Sequence, residues 1–159
     1  MLIFDENELL TPAEGILVTI DDFYAVFVQP FATSETRKRL FQEWVEYNRM
    51  LRQEIGEGFT QWIDGSFVTH KMNPKDIDIV SFIPSHLFRK FEKRLDYYWT
   101  DNWEREGVDA YLVEQLATYH SRYSDYIVQV ENWEKLYTRT KASSKSAGIS
   151  KGFLILDIE

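Results

Sequence analysis

Residues Trp62–Val80, WIDGSFVTHKMNPKDIDIV, decide how the chain is read. Gly65-Ser66 closes a short apolar run, nine residues intervene, and Asp76 and Asp78 then sit one residue apart in a second, β-prone run. A strand turns residues i and i+2 to one face, so both carboxylates share a side. Like charges held together disfavour each other's ionised form and call for water, a basic partner or a cation between them. A divalent metal is the sharpest candidate, set against solvated acids on a half-exposed edge strand. Asp64, beside the turn, reads as structural, either forming an Asx-turn or accepting from nearby backbone N–H groups.

Working upstream, Phe59–Asp64 is a short strand entering the turn, and Gly56 and Gly58 stop the helix before it. That helix opens at Ser34 and runs to about Ile55. Leu40, Phe41, Trp44, Val45, Tyr47, Leu51 and Ile55 form its apolar side, with Arg37, Lys38, Glu43, Glu46, Arg49 and Arg52 largely opposite. A shorter helix starts after Thr19, with Asp22 in its first turn, and ends before Pro30. Met1–Gly15 has no sustained period and reads as an irregular lead-in.

Working downstream, Asp76–Ile83 is a strand with Asp76, Asp78, Val80 and Phe82 on one face and Ile77, Ile79, Ser81 and Ile83 on the other. Ser85 is placed to cap a helix with apolar positions Phe88, Phe91, Leu95 and Tyr98, and Arg89, Lys90, Lys93 and Arg94 fall on its wetter side. The polar run Asp101–Gly107 breaks it. Val108–Val113 is a third strand, carrying Asp109 among apolar neighbours. Tyr119, Tyr123, Tyr126, Ile127, Val130, Trp133 and Tyr137 give a further helical stripe. Thr138–Lys151 reads as a mobile loop with Lys141, Lys145 and Lys151, and Phe153–Ile158 as a buried strand.

Composition bounds the function. The 159 residues suit a single domain spanning 1–159, and 44% hydrophobic residues with five Trp, nine Tyr and eleven Phe predict an aromatic-rich core. A net charge of −8 opposes general DNA or RNA binding. The absence of cysteine excludes disulfides, thiolate zinc sites and cysteine nucleophiles. No apolar run reaches the roughly 18 residues of a membrane span, and the N-terminus lacks a basic leader region, so a cytoplasmic protein without membrane association is expected.

Asp76, Asp78 and Asp109, from two strands, with a turn rich in backbone donors, suit phosphoryl chemistry: carboxylates can bridge two divalent ions about 3.5–4 Å apart. At these residues the chain resembles the nucleotidyltransferase superfamily that includes DNA polymerase β and the bacterial minimal nucleotidyltransferases. Gly65-Ser66, nine residues and Asp76-Ile77-Asp78 meet that signature, with Asp109 where a third acid on a later strand belongs. The fuller text DGSFVTHKMNPKDIDIV, the arginine-bearing helix upstream and the closing KGFLIL look closest to a poorly characterised bacterial nucleotidyltransferase-like family, found near mobile elements and defence systems.

The resemblance has its core at about residues 62–113 and implies an α+β (α/β) fold, a small mixed sheet flanked by helices. It implies Mg2+ or Mn2+ on Asp76, Asp78 and Asp109, and an NTP, ATP foremost, whose NMP passes to a hydroxyl of a protein, RNA or small molecule. Gly65 and Ser66 would hold the triphosphate. Minimal nucleotidyltransferases follow the Gly-Ser with an Arg-rich turn, whereas Phe67-Val68-Thr69-His70 stands here, so Lys71 and Lys75 are the expected substitutes. His70 is a second-tier candidate base. The alternative from another class is a catalytically silent scaffold that binds a cognate protein in the manner of an antitoxin.

Overall fold

A computed structural model describes residues 1–141 and 148–159. Its strands and helices are, in order, β1 Ile3–Phe4, β2 Leu10–Thr11, β3 Gly15–Leu17, α1 Ile20–Phe27, α2 Arg37–Ile55, β4 Phe59–Asp64, β5 Ile77–Pro84, α3 Ser85–Lys90, α4 Glu92–Leu95, α5 Thr100–Trp103, β6 Val108–Gln115, α6 Tyr123–Tyr137 and β7 Phe153–Ile158. Five strands make one mixed sheet in the order β3-β7-β4-β5-β6. β4 runs antiparallel to β5 and β7, while β5–β6 and β3–β7 are parallel. The class is α+β, as the sequence implies.

Period-two alternation divides the apolar residues between two layers. Ile63, Ile77, Ile79, Ala110, Leu112 and Leu154 belong to a large core with Phe23 and Phe27 of α1 and Leu40, Trp44, Tyr47 and Leu51 of α2. Trp62, Val80, Phe82, Tyr111, Val113 and Phe153 pack with Tyr126, Val130, Trp133 and Tyr137 of α6. The sheet is therefore covered on both faces.

Local chemistry accounts for the helix ends. Thr19 Oγ1 accepts from Asp22 N at 3.1 Å and donates to Asp22 Oδ2 at 2.9 Å, a reciprocal cap on α1. Ser34 Oγ accepts from Arg37 N at 3.1 Å, and Gly56, at φ 77°, closes α2 in the left-handed region.

Three local expectations are corrected. The irregular lead-in contains β1 and β2, paired antiparallel, and β3, whose Ile16 lies opposite Leu154; partners about 140 residues away in sequence supply the order. The helix after Pro84 stops at Lys90, where Phe91 leaves helical geometry (φ −110°, ψ 14°), and Ser85 Oγ donates to Glu114 Oε1 at 2.7 Å instead of capping. The polar break after it contains α5, held by Trp103 against Tyr47 with ring centres 5.1 Å apart. Of the segment Thr138–Lys151, expected to be a mobile loop, the two described ends pair with each other, Thr140 N donating to Ile149 O at 3.0 Å and Lys151 N to Thr138 O at 2.9 Å, and residues 142–147 lie outside the described residues. Lys145 lies outside the described residues. No helix among the described residues is long and apolar enough to cross a membrane.

Candidate functional site

Strand register builds the site. Asp64 at the end of β4 lies opposite Asp78 near the start of β5, and Asp78 lies opposite Asp109 near the start of β6. Residues opposite one another in neighbouring strands point to the same face, so three carboxylates form a row across the sheet. Asp76, just before β5, completes a group of four along a cleft of about 830 Å³. Clefts of that size accommodate a cofactor or small ligand.

Among the described residues, Lys141 and Lys151 are the cations that reach the row. Asp78 is raised to about 7, first by burial and further by Asp76, Asp64 and Asp109, with Lys141 opposing. Lys141 Nζ stands 3.3 Å from Asp78 Oδ1, on a side chain that is 66% exposed, and this pairing raises the lysine in turn. Asp64 is also pushed up by burial, against the pull of Lys151. The Lys151 ammonium, buried, donates to Asp64 Oδ1 and to the Tyr137 carbonyl at 2.8 Å. Asp109 Oδ1 accepts from Thr100 Oγ1 at 2.8 Å.

Gly65 has φ 82°, and a Cβ there would lie 1.8 Å from Asp78 Oδ2. Both conformation and space require glycine. The following 3₁₀ turn, Ser66–Val68, sends Phe67 and Val68 into the core, where the Phe67 ring lies 5.6 Å from Phe23. The side chains of Phe67 and Val68 are therefore anchors of the turn.

The arginine that shapes this turn comes from α2. Arg37, expected on the wet side of the helix, is fully buried. Its guanidinium donates to the carbonyls of Phe27 and Phe67 at 2.8 Å, Thr69 at 2.7 Å and Lys71 at 2.5 Å, and lies 4.0 Å over the Phe31 ring. Carbonyl dipoles stand in for a carboxylate partner, and burial lowers its pKa to about 10. Helical spacing puts Arg37 at the head of the buried stripe Leu40, Trp44, Tyr47, Asn48, Leu51 and Ile55, so its charge, not its position on α2, argued for the wet side; the carbonyls of Phe67, Thr69 and Lys71 that meet it are supplied by the fold.

The structure brings Asp76, Asp78, Asp109, Gly65, Ser66 and Lys71 together in the cleft. Lys75 is exposed and does not line it. His70 packs on Phe4, ring centres 4.3 Å apart, and stands 3.8 Å from Glu8. Of the basic face on α3 and α4, Arg89 and Arg94 are occupied by Glu114 and Glu54, each at 2.7 Å.

Asp64, read from the sequence as structural, accepts from the Gly65 backbone as expected but also shares the row, and sequence reasoning left out Tyr111, Trp133, Tyr137 and Arg139, which line the cleft. Alternation alone puts Asp64 on the face of Trp62, but its neighbour Asp78 is set by register, which no local pattern carries.

The carboxylate donor set is all oxygen, which suits Mg2+ or Mn2+. Among the described residues, however, no three carboxylates or histidines are grouped as a ready-made metal cage. Closing around an ion would require side-chain movement, starting with Lys141.

No curated protein and no solved structure matches the chain. A family model does match, over residues 2–157, and by that match the chain belongs to DUF6932, a family of unknown function.

Proposed function

We propose that this chain is a metal-dependent nucleotidyltransferase that moves an NMP from an NTP, with ATP the expected donor, to a hydroxyl acceptor and releases pyrophosphate. The observation that carries the reading is the row Asp64–Asp78–Asp109 with Gly65 packed against its central carboxylate. The central carboxyl of the row is raised even with Lys141 beside it, and the cleft it lines is large enough for a nucleotide.

Asp76, Asp78 and Asp109 would hold the ion. When bound, it supplies charge neutralisation at the phosphates and lowers the pKa of an attacking hydroxyl. The chain's own residues do the rest. Gly65 and Ser66 set the wall beside Asp78, and Arg37 holds that wall from behind. Lys71, Arg139 and Lys141 place cationic side chains around the cleft for the triphosphate. The acceptor oxygen bonds to the α-phosphorus as the bond to the bridging oxygen breaks; the acceptor's proton goes to Asp109 and the electron pair leaves with pyrophosphate.

Incubation with labelled NTP, Mg2+ or Mn2+ and a cell lysate should label an acceptor. Labelling that survives combined Asp76→Ala and Asp78→Ala substitution sinks the assignment.

One contact favours a second reading. Lys141 at 3.3 Å from Asp78 supplies an internal cation, as a silent scaffold with a cognate protein partner would retain. In that case a stable partner is recovered whose binding is indifferent to divalent metal and to loss of the acids.

A further inference from the structure

The wall of the cleft facing α6 has a chemistry that neither acids nor phosphates use. Trp133 lies 5.1 Å from Tyr111 and 5.5 Å from Tyr137, ring centre to ring centre, and Tyr137 lies 5.8 Å from Phe153. Trp62 backs Phe153 at 4.7 Å. The rings brace one another, so this wall is preformed. Tyr111 and Trp133 are only partly buried, unlike Tyr137, Phe153 and Phe82 on the same face of the sheet, and both line the cleft.

A second, independent feature points to a missing ligand. Tyr137 is 3% exposed and lines the cleft, and its Oη is buried with no hydrogen-bond partner among the described residues. Buried hydroxyls are nearly always paired, because leaving one unmet is unfavourable. Tyr137 feels Asp64, Asp78 and Asp109 electrostatically, which, after burial itself, keep its phenol protonated and hence able to donate.

Building on the nucleotidyltransferase reading above, we propose that this wall is a nucleobase subsite: Trp133 and Tyr111 stack the heteroaromatic base of the nucleoside triphosphate, and the Tyr137 hydroxyl bonds the base's polar edge. The layout of the cleft supports that occupant over a purely apolar one. Acids line one side, and Lys71, Arg139 and Lys141 add cations. An aliphatic ligand has no use for that ionic lining, whereas a nucleotide carries a planar ring and an anionic tail on one small frame. Base–aromatic stacking is also tolerant of sequence, since every base has a π-face.

The test uses the full chain with Mg2+ and calorimetric titration of ATP, inorganic tripolyphosphate and adenosine. ATP should bind about tenfold or more tightly than tripolyphosphate, the margin a stacked base confers. Trp133→Leu should remove most of that margin and abolish adenosine binding, while tripolyphosphate affinity stays within about twofold. Tyr137→Phe, which deletes one oxygen, should weaken ATP about three- to tenfold and leave tripolyphosphate unchanged.

Equal affinity of the unaltered chain for ATP and tripolyphosphate overturns the base subsite and leaves the metal and phosphate reading standing. Binding of neither overturns both. Should Trp133→Leu fail to fold, by circular dichroism, Tyr111→Leu and Tyr137→Phe carry the test, and retention of the full ATP margin in both overturns the proposal.

Discussion

Strand β6 carries acids near both ends, and the two ends are treated in opposite ways. Glu114, near its C-terminal end, accepts from Ser85 Oγ at 2.7 Å, from Arg89 at two 2.7 Å contacts and from Arg122 at 3.3 Å. Burial pushes that carboxyl up, but the hydrogen bonds from Arg89, Ser85 and Arg122 outweigh it and bring it down to about 2. Asp109, near the other end, belongs to a row whose central member, Asp78, is pushed up to about 7. One end is a finished ion cluster that ties α3 to β6. The other faces a cleft, and among the described residues Lys141 and Lys151 are the cations that reach it. Charge density alone does not mark a site; a raised carboxyl in a cavity does.

The contrast can be broken most severely through activity. Asp76→Ala with Asp78→Ala should lower NMP transfer by about a thousandfold or more, whereas Glu114→Gln should leave it within about twofold, as measured by labelled-NTP transfer. Comparable losses from the two ends would erase the distinction.

Arg37→Ala comes next. It strips donors from four carbonyls and opens a void behind the Gly65-Ser66 wall. Stability should fall by about 3 kcal/mol in denaturant titration, and an unchanged midpoint would show that the turn holds itself.

Asp78→Asn sharpens the contrast by sign. Because the folded carboxyl titrates near 7 rather than at its ordinary 3.8, the folded state binds more protons between those values, and stability falls as pH rises across that window. Asn removes that fall, so without divalent metal at pH 8 the variant should be about 2 kcal/mol more stable than the parent, part of the gain being offset by the stranded Lys141. A destabilised Asp78→Asn chain would mean that the row is internally balanced.

Glu114→Gln carries the opposite sign and the smallest effect. The depressed carboxyl contributes stability that is complete above its ordinary 4.5 and is lost as pH falls toward 2. The variant should lose about 1 kcal/mol at pH 7, since Arg89 and Arg122 are half-exposed, and the difference should vanish near pH 2. A difference that persists in acid would assign the effect to packing.

Much of this layout is legible locally. Alternation in Asp76–Ile83 separates Ile77, Ile79 and Ile83 from Asp78, Val80 and Phe82, and the structure sends the two sets to different cores. Thr19, Ser34 and Gly56 mark helix ends through chemistry acting within a few residues. Asp76, Asp78, Gly65 and Ser66 stand out because a costly pair of acids and a positive-φ glycine are local events. Lys75 was drawn in by closeness in sequence, yet it stands outside the cleft.

The sequence by itself determined strands β4 to β7 and helices α1, α2 and α6, though not β1 to β3 or α5, and it determined that two acids share one face beside a glycine turn. Those properties depend on backbone periodicity and on side chains a turn or less apart. Only the tertiary structure decided that Asp64 joins Asp78 and Asp109, that the carbonyls of Phe67, Thr69 and Lys71 meet Arg37, and that Lys151 reaches Asp64 across 87 residues of chain. It alone set Tyr137, whose hydroxyl has no partner among the described residues, in the wall of the same cleft. Strand register and loop closure between distant segments make these contacts, and their energy is a property of the assembled sheet, not of any short stretch of residues.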